Sequence, residues 1–175
     1  MNTMKVIYLG VLVFLTGTVN AAAPFGGEED VSYAKNLWQT MTDAGYAGKG
    51  GLMSRPYTGQ HPHGAILDTI EGQIALDGKL HQIIVKRNYG GEGVSIANVS
   101  NDPAKYLKAV TVMLKRPGYD PETQDWFWAK FKADGSLDTN PAGMMLAGKV
   151  AKGKPKGCIA CHTAAPGGDM MFLHD

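Results

Sequence analysis

Residues 125–132 read DWFWAKFK. Side chains alternate across an extended chain, so as a strand this stretch sends Phe127, Ala129 and Phe131 to one face and Trp126, Trp128 and Lys130 to the other. Large rings on both faces require apolar cover on at least one of them. Three neighbouring segments have the same character: AILDTIEG at 65–72, LHQIIVKR at 80–87 and LKAVTVMLK at 107–115. All are short, rich in branched residues, and separated by turn formers such as Asp77-Gly78, Arg116-Pro117-Gly118 and Asp134-Gly135. Links of hairpin or modest length predict an antiparallel sheet. The earlier stretch EEDVSYAKNLWQTMTDAGYAGKG at 28–50 has helical spacing instead: Ala34, Leu37, Trp38 and Met41 form a stripe, Ser32 is a candidate cap, and Gly45 and Gly48 end it. Between helix and sheet, GGLMSRPYTGQHPHG at 50–64 reads as loop. The fold class expected is α+β, an N-terminal helix packed on an antiparallel sheet, with a distinct C-terminal segment.

Whole-chain properties narrow the function classes. Lys plus Arg is 17 against 16 for Asp plus Glu, a balance that gives no reason to expect nucleic acid or an anionic membrane as partner. Glycine at 23 and proline at 9 of 175 residues imply many turns. At the start, Lys5 precedes the apolar run VIYLGVLVFLTG at 6–17 and then TVNAAA at 18–23. That pattern is a secretory leader with small residues at its cut, and the run is shorter than the ~20 residues that span a bilayer. The reading is a signal peptide over 1–21 and a single exported domain over 22–175, periplasmic and without a membrane anchor.

The only two cysteines lie in GKPKGCIACHTAAPGG at 153–168, as Cys158 and Cys161, with His162 directly after. A disulfide has no use for the histidine, and a zinc site wants four ligands where no second cysteine pair or close histidine pair is nearby. C-x-x-C-H suits covalent haem c attachment: two thiols spaced to reach two vinyl groups and an imidazole presented to the iron. Cys158 and Cys161 are therefore the expected thioether links and His162 the proximal ligand of one haem c.

The position of the motif sets this chain apart from other c-type proteins. Small electron-transfer cytochromes carry it near the N-terminus, and the helical cytochromes c-prime have no sheet-like middle. The run GYDPETQDWFWAKFKADGSL at 118–137, then AGKVAKGKPKGCIACHTAAPGGDMMF at 147–172, together with HPHG, IIVKRNY and YAKNLW, resembles the cytochrome P-460 superfamily. That group includes cytochrome c-prime-beta. The resemblance covers nearly all of 22–175 in the family's order. It implies a five-coordinate iron with an open distal side, often a homodimer, and either oxidation of hydroxylamine or binding of nitric oxide or carbon monoxide without turnover. In the oxidising branch a lysine is bonded to the haem, and Lys86 matches it.

Periodicity leaves two readings for Lys86, which shares a strand face with Ile84 while Ile83, Val85 and Arg87 share the other. It points into a pocket, or it is an edge lysine whose stem covers apolar surface. Phe127 and Phe131 are the expected distal-pocket rings, and Asp68, Glu71 and Asp125 are candidate proton-handling acids. His61 and His63 in HPHG have metal-like spacing but read as loop residues, and His81 and His174 have no assigned task. Met144, Met145, Met170 and Met171 are candidate sixth ligands, the alternative being core filler. Lys149, Lys152, Lys154 and Lys156 suit haem propionates, an acidic redox partner such as another cytochrome, or simple solvation.

Overall fold

The computed structural model describes residues 23–172. The expected leader over 1–21 and His174 lie outside the described residues. Helix α1 spans Glu28–Asp43, and its stripe of Ala34, Leu37 and Met41 is buried as the spacing requires. Ser32 does not cap it; Gly27 does, with extended backbone and no side-chain bond. Glu28, Glu29 and Asp30 fill the first turn, where negative charge complements the exposed N–H groups and the helix dipole. The helix ends in a Schellman turn: Gly45 takes φ +76°, and Tyr46 N–H reaches back to Met41 O at 2.7 Å.

Six strands follow in chain order across one antiparallel sheet: β1 Tyr57–Thr58, β2 Ile66–Leu76, β3 Lys79–Tyr89, β4 Leu107–Lys115, β5 Trp126–Lys132 and β6 Ala147–Gly148. The four expected strands are all present, with β2 and β3 longer than the sequence suggested. They extend to a two-residue hairpin in which Asp77 and Gly78 both take positive φ, the turn whose twist matches the strands it joins. The two-residue strands β1 and β6 and the short helices α2 (Ile96–Asn101) and α3 (Pro103–Tyr106) carry too little periodic signal to have been anticipated.

Alternation then divides the core in two. Ile83, Val85, Val110, Val112, Leu114, Phe127, Ala129 and Phe131 face α1, with Tyr33 edge-on to Phe127 at 4.9 Å and Trp38 against Phe131 at 4.8 Å. At the end of this layer Arg87 and Asp68 form a buried pair at 3.1 Å. Tyr89 OH donates to Asp68 at 2.6 Å and Arg87 to Tyr46 O at 3.1 Å, so both charges are satisfied. The opposite face gathers Ile84, Met113, Trp126 and Trp128 with Phe25, Val150, Ile159 and Met170. Helix α4 (Cys158–His162) rests on this second face through Ile159.

Candidate functional site

Gly157 delivers the chain into α4 at φ 142° and ψ −177°, a conformation open essentially to glycine alone, and a Cβ there would collide with Ala151. One helical turn then sets Cys158 and Cys161 three residues apart and His162 four after Cys158, so the three share a side of the helix. Both thiols are free; Cys161 is exposed and Cys158 half-buried, and burial raises the Cys158 pKa.

His162 is buried and oriented by the tail that follows it. Its Nδ1 donates to Met170 O at 2.7 Å, and Met170 takes φ +64°. A carbonyl can only accept, so the proton sits on Nδ1 and Nε2 is left with its lone pair free. The tail is tied down by β5 and the turn before it: Trp126 Nε1 donates to Asp169 O at 3.1 Å, and Gln124 donates to Gly168 O. Around the His162 ring stand Trp128 at 4.8 Å, Phe172 at 5.3 Å and His63 at 6.3 Å between centroids.

Lys86 is on this same face, in a strand paired on both sides, and it is buried. The surface reading is thereby excluded. Its Nζ donates to Phe172 O at 3.4 Å, and burial lowers its pKa from 10.5. His63 sits nearby with Nδ1 3.0 Å from Asn88 Oδ1; burial, then the Lys86 charge, outweigh that bond and push its pKa down to about 4. His162 is lowered too, by burial and by Lys86, against the bond to Met170.

Other candidates lie elsewhere. Phe127 and Phe131 do not line this site: they are one residue out of phase with Trp126, Trp128 and Lys130, and alternation buries them beneath α1. Asp68 belongs to the α1 side with Arg87, Asp125 accepts the Asp120 N–H at 3.0 Å, and Glu71 is exposed. Met170 contributes its carbonyl and packs in the second core, Met144 and Met171 pack beside it, and Met145 is exposed. Lys149 and Lys152 turn to Asp120, and Lys152 also to Glu122 at 2.8 Å. His81 is buried and its Nδ1 donates to Lys115 O at 2.8 Å, a satisfied core histidine. Sequence alone reads His63 as a loop residue, gives Trp128 a strand face but no role, and does not single out Asn88 or the Met170 carbonyl. The alternation that places Lys86 also places Trp128 and Asn88, whereas His63 and Met170 reach the site through loop geometry.

A haem fits this chemistry. Trp128 is buried against His162, yet its Nε1–H has no acceptor among the described residues, and a buried donor without a partner is costly. A haem carries carboxylates that accept hydrogen bonds, and the free Nε2 of His162 and two unpaired thiols are the groups that would hold its iron and its edge. The site thus defines a c-type cytochrome on an α+β scaffold. The model of the family described as cytochrome P460 matches residues 71–173, more than half of the chain. The chain belongs to that family, and haem c is the cofactor the membership implies. No curated protein and no solved structure gives a match. No helix among the described residues is long and apolar enough to cross a membrane.

Proposed function

We propose that the chain is an exported, periplasmic monohaem cytochrome that oxidises hydroxylamine or a related small nitrogen compound at an open distal iron position. Cys158 and Cys161 are its thioether links and His162 its proximal ligand. The observation that carries the reading is the convergence of Lys86 and His162 on one sheet face, joined through the tail at Phe172. The haem supplies a coordination position for the substrate and a route for its electrons. Burial favours the neutral Lys86 amine, which unlike the ammonium is a nucleophile; with an oxidant such as hydrogen peroxide taking up two electrons, its nitrogen would bond to a ring carbon of the macrocycle, one N–H and one ring C–H giving up their hydrogens as protons, and that bond would alter the haem's electronics, a recognised lever on reactivity. Trp128 would donate its Nε1–H, unpartnered among the described residues, to a haem carboxylate, and the Trp126 and Gln124 bonds to the tail hold His162 in place. Electrons leave to a redox partner cytochrome, and the working unit is a homodimer.

Proteolysis and mass spectrometry of the haem-loaded protein test this reading. The GCIACH peptide, the haem and the Lys86 peptide should run as one species, and Lys86→Ala should return the main absorption band to that of ordinary haem c. Cleanly separate peptides and an unchanged mutant spectrum would favour instead a cytochrome c-prime-beta function, binding nitric oxide or carbon monoxide without turnover.

A further inference from the structure

We infer that the surface around Cys161, bordered by Lys154 and Lys156, is where an acidic electron-accepting protein docks. The inference rests on the haem reading above and names the charge of the redox partner and the face it meets.

Of the four lysines ahead of the cysteine motif, two are already engaged. Lys149 and Lys152 turn to Asp120, and Lys152 also to Glu122 at 2.8 Å. Lys154 and Lys156 are exposed, and neither meets a carboxylate among the described residues. From residue 139 to residue 172 the chain holds these four lysines and one acid, Asp169, whose Oδ1 accepts the Met171 N–H at 2.9 Å. The turns that carry the lysines are well bonded: Lys152 N–H donates to Lys149 O at 3.0 Å and Lys154 N–H to Ala151 O at 3.1 Å, with Val150 buried in the second core. Pro155, between the two free lysines, restricts the backbone further. Their charge is therefore held on a fixed stretch, Lys156 standing two residues before Cys158.

What the lysines border is small and uncharged. Cys161 is exposed, so a haem edge bonded to its sulfur lies at the surface. Residues 157–168 contain no Asp, Glu, Lys or Arg, and Thr163, Ala164 and Pro166 beside Cys161 are exposed and short. A protein can approach that edge closely without burying an unpaired charge, which shortens the path of an electron. Lysines at the rim speed and orient the encounter with an acidic surface and disfavour a basic one. One electron passes: the iron goes from ferrous to ferric, the partner's metal centre is reduced, and no bond or proton moves. An anionic membrane calls for a broader basic face than two free lysines on a chain of net charge +1.

The test follows oxidation of the haem-loaded full chain, reduced beforehand, by two protein acceptors in stopped flow: plastocyanin, an acidic copper protein, and a basic mitochondrial cytochrome c. Plastocyanin should be reduced faster at low salt and lose that advantage as salt rises, because exposed charges are screened beyond about 10 Å at 0.1 M. Lys154→Glu with Lys156→Glu should slow plastocyanin reduction about tenfold at low salt, speed that of cytochrome c, and leave carbon monoxide binding unchanged. Lys35→Glu with Lys79→Glu reverses two other exposed lysines, on α1 and at the β2–β3 hairpin. It has the same net charge and should keep plastocyanin reduction within about twofold of the native rate. Should glutamate beside the motif impair maturation, Lys154→Gln with Lys156→Gln should give the same pattern with a loss of about threefold. Equal rates for both acceptors, or a loss as large in the Lys35 and Lys79 variant, overturn the inference. So does binding of the native chain to anionic phospholipid vesicles with no preference between the acceptors, which would assign the lysines to a membrane surface. A chain that matures without haem defeats the proposed function together with the inference, whereas a haem protein whose rates ignore Lys154 and Lys156 defeats the inference alone.

Discussion

Along β3, Ile83, Val85 and Arg87 face α1, while Ile84, Lys86 and Asn88 face the Cys158–His162 turn. The α1 side is closed by the chain itself: aliphatic and aromatic side chains interlock, and the buried Asp68 is matched to Arg87 and Tyr89. At its margin, over Tyr33 and Tyr119, one Arg116 guanidinium nitrogen is buried without a partner among the described residues. The other side mixes apolar cover with groups of uneven satisfaction. Among the described residues, Asn88 makes a full set of bonds, Lys86 has one long bond to a carbonyl, and Trp128 has a buried donor with none. One layer of the sheet thus serves stability and the other serves chemistry. The division falls between adjacent residues because a strand offers no other way to serve two tasks.

The largest expected effect removes the anchor of the second face. Cys158→Ala with Cys161→Ala should abolish haem staining on denaturing gels in a host competent for haem c attachment, while far-ultraviolet circular dichroism keeps the sheet. Next, Phe127→Ala should cost about 3–5 kcal/mol in chemical unfolding, the range for emptying a buried aromatic site, and leave the haem spectrum unchanged. A spectral shift as large as that of a haem-face variant would erase the distinction between the faces.

Trp128→Phe sharpens the comparison from the other side. It deletes a donor that no described residue accepts, so the stability loss should stay near 1–2 kcal/mol, yet the reduction midpoint and the absorption band should move. The smallest effect is expected at Lys152. Burial alone would raise the Asp120 pKa, but the bonds from Lys152 and Thr123 and the charge of Lys149 take it below 3.8. A depressed carboxylate adds stability above its unfolded pKa and loses it as pH falls through the folded value. Lys152→Ala should therefore be less stable by under about 1 kcal/mol near neutrality and converge with the native protein in acid. Melts recorded across that pH range would show a constant gap if the pair contributed nothing.

Much of the fold was legible because its signals are local. The α1 stripe and the alternation in four strands report burial by spacing alone, and C-x-x-C-H states its ligand set within five residues. Ser32 misled because a good capping residue was given more weight than the three acids at 28–30 that lie ahead of it. Phe127 and Phe131 misled because alternation separates two faces without saying which one meets α4. Residues 1–21, read as a leader, lie outside the described structure.

By itself the sequence determined the helix, the antiparallel sheet, the cysteine–histidine motif and the separation of Lys86 from Arg87, since each depends only on neighbours within a few positions. The tertiary structure decided which face receives α4, that the Met170 carbonyl orients His162, and that Asn88 holds His63 beside it. Those contacts join residues from distant elements or from turns without periodicity, and their geometry exists only once the sheet has set the distances.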